Sequence, residues 1–264
     1  MSQEQELPPS EFVTGKVLLI DKPLTWTSFD AVNKIRWQLK QKLKQKLKVG
    51  HAGTLDPLAT GLLIICTGKF TKRIDEFQAQ EKEYTGTFVI GASTPSSDLE
   101  HEVNEYFPTE HITDEMIHSA TKNFIGEIDQ SPPLFSAIKV DGKRAYKMAR
   151  KGDETILPTR KVEIRKFEIR AIRRVFFPTK ESGLEQTAGI LEQTVGMPEQ
   201  TADIIKVDFC VSCSKGTYIR SLARDFGKAL ESGAYLSVLR RTRIGEFKIE
   251  DAVTIEAFVA SLAE

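Results

Sequence analysis

The chain has 264 residues, room for one large domain or two modest ones, and its 40% hydrophobic and 28% charged residues are ordinary for a globular protein. Its 37 basic and 37 acidic residues cancel, which excludes a protein coated in one sign of charge. No run approaches the ~20 apolar residues of a membrane span, and the polar start from Met1 to Glu11 lacks a signal peptide's basic and apolar parts, so a cytoplasmic protein without a membrane partner is expected.

After a tail over residues 1–14, Val17-Leu18-Leu19-Ile20 predicts a buried strand that ends in Asp21-Lys22-Pro23. A helix follows from Thr27 or Ser28, either of which can cap it, with Ala31, Val32, Ile35 and Leu39 as its apolar face. It decays into a lysine-rich stretch in which Lys40, Lys42, Lys44, Lys46 and Lys48 crowd together.

Next comes Gly50-His51-Ala52-Gly53-Thr54-Leu55-Asp56-Pro57-Leu58-Ala59-Thr60-Gly61. Its glycines mark backbone that turns sharply or approaches something closely. Pro57 disfavours helical geometry at Asp56, which is therefore expected to be extended. Leu55, Leu58, Leu62 and Leu63 can anchor the segment and leave one carboxylate on a stiffened loop, a form that suits a catalytic acid. Local chemistry also allows Asp56 to be a helix N-cap with Pro57 at the first helical position. Both readings stand at this point.

Leu62 to Cys66 reads as a buried strand, Phe70 to Phe77 as a short helix and Glu83 to Gly91 as an alternating strand. A Ser-, Thr- and Asp-rich loop from Ala92 to His101 precedes a helix from Ile112 to Phe124, capped by Thr113. Ser131-Pro132-Pro133 breaks the chain before a strand from Ser136 to Val140 and a short basic helix from Lys143 to Arg150. Lys161 to Phe177 is a long strand or a bent strand pair. Residues 178–203 form a polar insertion with Glu-Gln-Thr at Glu185, Glu192 and Glu199, interrupted by glycines and Pro198, and read as a possible disordered segment without a functional role. The strand Ile204 to Cys213, a helix Tyr218 to Glu231, the strand-like Ala234 to Arg243 and a final short helix capped by Thr254 complete the chain.

Three cysteines cannot make a disulfide framework. Cys210 and Cys213 show a zinc-like gap but lie three apart on a strand, facing opposite ways, so no metal is expected. No Gly-x-Gly-x-x-Gly or Walker A loop supports a nucleotide cofactor. The basic groups Lys40 to Lys48 and Arg220, Arg224, Arg240, Arg241 and Arg243 are compatible with a nucleic-acid partner, although charge alone favours solvated surface. Several adjacent strands and interspersed helices predict an α+β fold around a largely antiparallel central sheet.

Ser214-Lys215-Gly216-Thr217-Tyr218-Ile219-Arg220 and Lys82-Glu83-Tyr84, taken with the Asp56 loop, Asp21-Lys22-Pro23 and Ser131-Pro132-Pro133-Leu134-Phe135-Ser136-Ala137-Ile138-Lys139, resemble the TruB family of tRNA pseudouridine synthases. The likeness runs from about Gly15 to Gly245, apart from the insertion. It implies a catalytic domain over 15–250 that isomerises one uridine of the tRNA T-arm loop, conventionally position 55, without cofactor or metal. It implies that Asp56 is the essential carboxylate, that Arg220 pairs with it, and that Tyr84 stacks on the target base. Tyr218 and Leu239 would line the pocket, and His51 would support the flipped-out loop. Lys22, Lys139 and Arg150 would contact backbone or phosphate. Many bacterial members carry a further small RNA-binding domain at the C-terminus. Here residues 251–264 hold only a short helix, so weak tail contacts are expected, with the lysine run compensating in part. A monomer without an obligatory protein partner is expected. The alternatives are the same chemistry on another RNA, and a non-catalytic tRNA-binding or RNA-folding protein.

Overall fold

The apolar runs of the sequence become strands of one sheet in the computed structural model, which describes residues 10–136, 138–140, 143–145, 148, 157–175 and 203–262. The first half contains α1 (Glu11–Thr14), β1 (Val17–Lys22), α2 (Ser28–Leu43), β2 (Val49–His51), β3 (Ala59–Thr67), α3 (Ile74–Ala79), β4 (Lys82–Ile90), β5 (Ala92–Ser93), β6 (Glu105–Tyr106), α4 (Asp114–Ala120) and β7 (Gly126–Gln130). The second contains β8 (Lys139–Val140), β9 (Lys143–Arg144), β10 (Arg160–Val175), β11 (Ile204–Cys213), α5 (Ile219–Ala229), β12 (Ala234–Ile244), β13 (Phe247–Lys248), β14 (Val253–Thr254) and α6 (Ile255–Ser261).

Ten strands join in the order β14-β1-β3-β12-β4-β11-β10-β7, with β2 added to β3 and β13 to β12. Among the described residues, only β1 with β14 and β3 with β12 run parallel in this sheet; its other pairings are antiparallel. The α+β, largely antiparallel expectation therefore holds. The parallel seam matters for the site. It sets Leu239 of β12 beside Ala59, the first residue of β3, and so places the end of the Asp56 loop at the middle of the sheet.

Helix α5 repeats its apolar residues at Ile219, Leu222, Ala223 and Phe226, one face of a 3.6-residue period. That face packs on a core containing Phe88, Phe167 and Phe209 of β4, β10 and β11. Helix α2 buries Ala31, Val32, Ile35 and Leu39 against β1 and β3, with Ile255 and Phe258 of α6 in the same cluster. Its start is a capping box, the Thr27 hydroxyl accepting from the Asp30 amide at 3.0 Å and Asp30 accepting from the Thr27 amide at 2.9 Å.

The structure refines several expectations. The long segment after Pro158 is one strand, β10, bent by irregularities between Ile164 and Lys166 and between Ile169 and Ala171. The helices expected near Phe70 and Ile112 each share their length with a 3-10 turn, Gly68–Arg73 and Thr121–Phe124. Lys143 and Arg144 were expected in a helix and instead pair as β9 with β8, because the hairpin offers their backbone groups partners that a helix start would not. Residues 149–156 and the insertion over 178–202 lie outside the described residues. Short β2 and β7 were not foreseen; they are too short, or too polar in β7, to leave a periodic pattern.

Candidate active site

Asp56 sits on a loop held from both sides by neighbours far away in sequence. The Ser28 hydroxyl at the start of α2 accepts from the Leu55 amide at 2.8 Å and donates to the Leu55 carbonyl at 3.2 Å. The Thr25 amide donates to the Pro57 carbonyl at 2.9 Å. The Asp56 carbonyl accepts from the Ala59 amide at 3.0 Å in a single turn, and β3 begins at once. There is no helix for Asp56 to cap. Gly61 shows why the loop is glycine-bounded: its φ is +102°, and a Cβ there would lie 2.3 Å from the Arg241 carbonyl oxygen.

The opposite side is built on α5. Ser131 turns its carbonyl to the Ser221 hydroxyl at 2.7 Å and to Arg224 Nη2 at 3.1 Å. The Phe135 carbonyl accepts from Arg220 Nη2 at 3.0 Å. The Ser-Pro-Pro segment thus acts as a stiff strip of acceptors that fixes the first turns of α5. Buried Gln130 of β7 holds the Tyr218 backbone, which brings Arg220 into place two residues further on.

These elements face each other across a cleft of about 870 Å³, with Asp56, Tyr84, Tyr218, Arg220 and Leu239 in its walls. Arg220, 5% exposed at its side chain, puts Nε 2.9 Å from Asp56 Oδ2 and 3.5 Å from Asp98 Oδ2. One guanidinium serves two carboxylates. Tyr84 is buried on β4 opposite both Val211 and Arg241. The Arg160 guanidinium lies over the Tyr218 ring, 4.2 Å from its centroid.

Electrostatics depart from simple pairing. Loss of water in the cleft pushes the Asp56 carboxyl above its ordinary value; Arg220 opposes that, while Asp98 and Glu100 add to it. The expected lowering by Arg220 is real but smaller than the desolvation. Burial likewise raises the Tyr84 phenol against the opposing charge of Arg241, which keeps the ring neutral. Lys82 in the same cleft is lowered to about 8 by burial, its ammonium donating to the Gln78 and Gln80 carbonyls.

Asp56, Tyr84, Tyr218, Arg220 and Leu239 are therefore brought together. His51 is not among the cleft-lining residues: it is the last residue of β2, opposite Ile65, and burial lowers its pKa. Lys22 is a correction. Expected to contact RNA, it is fully buried, and its ammonium donates to the carbonyls of Trp26 at 2.6 Å, Pro23 at 2.9 Å and Pro57 at 3.4 Å. It ties the loop after β1 to the Asp56 loop and has no face left for a phosphate. Lys139 lies on β8, its side chain outside the described residues, as is Arg150 altogether.

The arginine group near the C-terminus is a second correction, since it is not a solvated patch. Arg240 pairs with Asp21, Arg243 with Glu81 and Arg224 with Asp225. Arg241, 1% exposed, donates to the Leu62 carbonyl at 2.8 Å and the Gly53 carbonyl at 3.2 Å beneath the loop. Arg241 was missed as a site residue although its position two after Leu239 on a strand puts both on one face. Asp98, Gln130 and Arg160 left no comparable sign.

Comparison with known proteins agrees with this geometry. A family model described as TruB family pseudouridylate synthase (N terminal domain) matches residues 40–219, and one described as tRNA pseudouridylate synthase B C-terminal domain matches 220–264. Among similar proteins, tRNA pseudouridine synthase B of Flavobacterium johnsoniae is 54% identical over 97% of this chain and 100% of its own. That of Phocaeicola vulgatus is 52% identical over 94% and 93%. A solved Cbf5-Nop10-Gar1 complex contains a chain 28% identical, with a TM-score of 0.61, over 95% of this chain; this chain spans 55% of that one. The matched segments contain the Asp56 loop, Tyr84 and the start of α5, and with relatives above half identity along nearly its whole length the chain belongs to the TruB family of pseudouridylate synthases.

Proposed function

We propose that this protein converts one uridine of tRNA, in the T-arm loop at position 55, into pseudouridine, with Asp56 as the carboxylate that acts on the nucleotide. The observation that carries the reading is the Asp56–Arg220 pair at 2.9 Å in a cleft whose lining includes Tyr84. The names of the similar proteins support tRNA as the substrate.

The reaction breaks the N1–C1′ bond and forms C5–C1′; C5 loses a proton and N1 gains one, so atoms balance with no oxidant or reductant. The target base must first leave its stack, at a cost of a few kcal/mol. The Tyr84 ring offsets part of that by stacking, worth ~1–3 kcal/mol. Asp56 then attacks the sugar, attacks the base or removes a ribose proton. All three routes need an ionised carboxylate at the target. Arg220 supplies the positive charge that opposes the desolvation of that carboxylate and fixes its direction.

The test is turnover of unmodified tRNA by the purified protein and by Asp56→Asn, with pseudouridine assayed in the T loop. Wild type gives product, the variant gives none, and both bind tRNA. Product from the variant would refute the role of Asp56, and none from wild type would leave a binding protein.

A further inference from the structure

Arg160 is out of keeping with the other arginines around the cleft. Of the other arginines that line it, Arg220 meets a carboxylate and Arg241 donates to two carbonyls. Arg160 meets no carboxylate among the described residues; its buried Nε makes no hydrogen bond, as is true of Arg220, but unlike Arg220 it has no ion-pair partner there either. Buried cations are as a rule paired, because an unpaired one loses its hydration with nothing in return. Burial does lower the pKa of this arginine, with the Tyr218 phenol as the opposing influence.

Its position is nevertheless well determined. Arg160 opens β10 directly across from Gln130 of β7, whose side chain holds the Tyr218 backbone. The guanidinium plane is supported by the Tyr218 ring at 4.2 Å, an arrangement that fixes orientation while leaving N–H groups at its edge. The loop Ser214 to Thr217, turned at Gly216 with φ +83°, passes beside it, so that a Cβ on Gly216 would sit 3.5 Å from Nη1. Lys215 lines the same cleft, as does Lys161, which pairs with Glu127. A fork that meets no carboxylate among the described residues, with the Lys215 ammonium in the same cleft, suits an anion that arrives with the ligand.

We propose that Arg160 is a binding site for one backbone phosphate of the RNA strand beside the extruded nucleotide, and that the Tyr218 ring holds its fork in readiness. The inference rests on the RNA substrate argued above. A phosphodiester suits the site because two parallel N–H groups match two phosphate oxygens.

The experiment uses the full chain and an unmodified T-arm stem-loop in which single linkages near the target uridine are replaced in turn by neutral methylphosphonates. Product formation by wild type on the unaltered stem-loop is measured first; its absence would remove the parent reading and this one together. Arg160→Gln is expected to weaken binding about ten- to a hundredfold, as for one charge-assisted contact. The slope of log affinity against log salt should fall by roughly 0.7–0.9. One methylphosphonate position should weaken wild type by a similar factor and leave Arg160→Gln unaffected. Arg160→Lys, which keeps the charge but not the fork, should recover the salt slope and only part of the affinity. An active wild type in which no linkage couples to Arg160, or whose salt slope matches the variant's, would overturn the phosphate site alone. If Arg160→Gln fails to fold, methylphosphonates compared between wild type and Arg160→Lys decide: no position that distinguishes them overturns the proposal.

Discussion

Gln130 holds Tyr218 by both of its backbone groups: Oε1 accepts from the Tyr218 amide at 2.7 Å, and Nε2 donates to the Tyr218 carbonyl at 3.0 Å. A side chain thus serves as the strand partner for the residue that opens α5, and everything α5 carries to the cleft depends on it.

Gln130→Met keeps the volume and removes both partners. It is expected to destabilise the fold by about 1–3 kcal/mol, the cost of leaving buried polar groups unsatisfied. Turnover should fall further than substrate affinity, since Arg220 is displaced from Asp56. Urea unfolding and kcat against KM measure the two effects; unchanged stability together with unchanged kcat would show that the clamp is dispensable.

Asp56 faces Arg220, Asp98 and Glu100, and its carboxyl lies above the ordinary 3.8 through desolvation. The folded protein therefore binds that proton more tightly than the unfolded chain. The stability it brings is full below the unfolded value and is lost as pH rises through the folded one. The acid limb of kcat/KM is expected above the ordinary carboxylate range. Asp98→Asn removes a like charge that raises the Asp56 carboxyl, so the limb should move to lower pH even if the rate drops. A limb that moves up would contradict the arrangement.

Two kinds of lysine should separate in a salt series. Lys44, Lys46 and Lys48 are exposed after α2, and replacing all three by Gln should weaken tRNA binding and flatten its salt dependence. Lys22→Met should leave that dependence alone, because the buried ammonium holds protein carbonyls, and should lower kcat through the loosened Asp56 loop. A salt slope that falls in Lys22→Met would contradict its burial; one unchanged in the triple variant would remove the surface lysines from binding.

Much of the fold was legible because its causes are local. Thr27, Thr113 and Thr254 cap the helices that follow them, each with a partner three residues on. The strands at Val17, Glu83, Ile204 and Ala234 announced themselves by apolar pattern. Even the Asp56 loop declared its stiffness through its glycines and Pro57, although only β3 starting at Ala59 excluded a helix cap.

The fate of the charged groups was decided elsewhere. By itself the sequence determined the sheet's apolar strands, the helix starts and one carboxylate on a rigid loop, since these follow from backbone sterics and short-range periodicity. Only the tertiary structure decided that Lys22 and Arg241 are interior props, that Asp98 shares Arg220 with Asp56, and that Arg160 lies over Tyr218 with no carboxylate among the described residues. A charge takes its role from the groups packed across from it and from the water it loses, and residues far apart in the chain supply both.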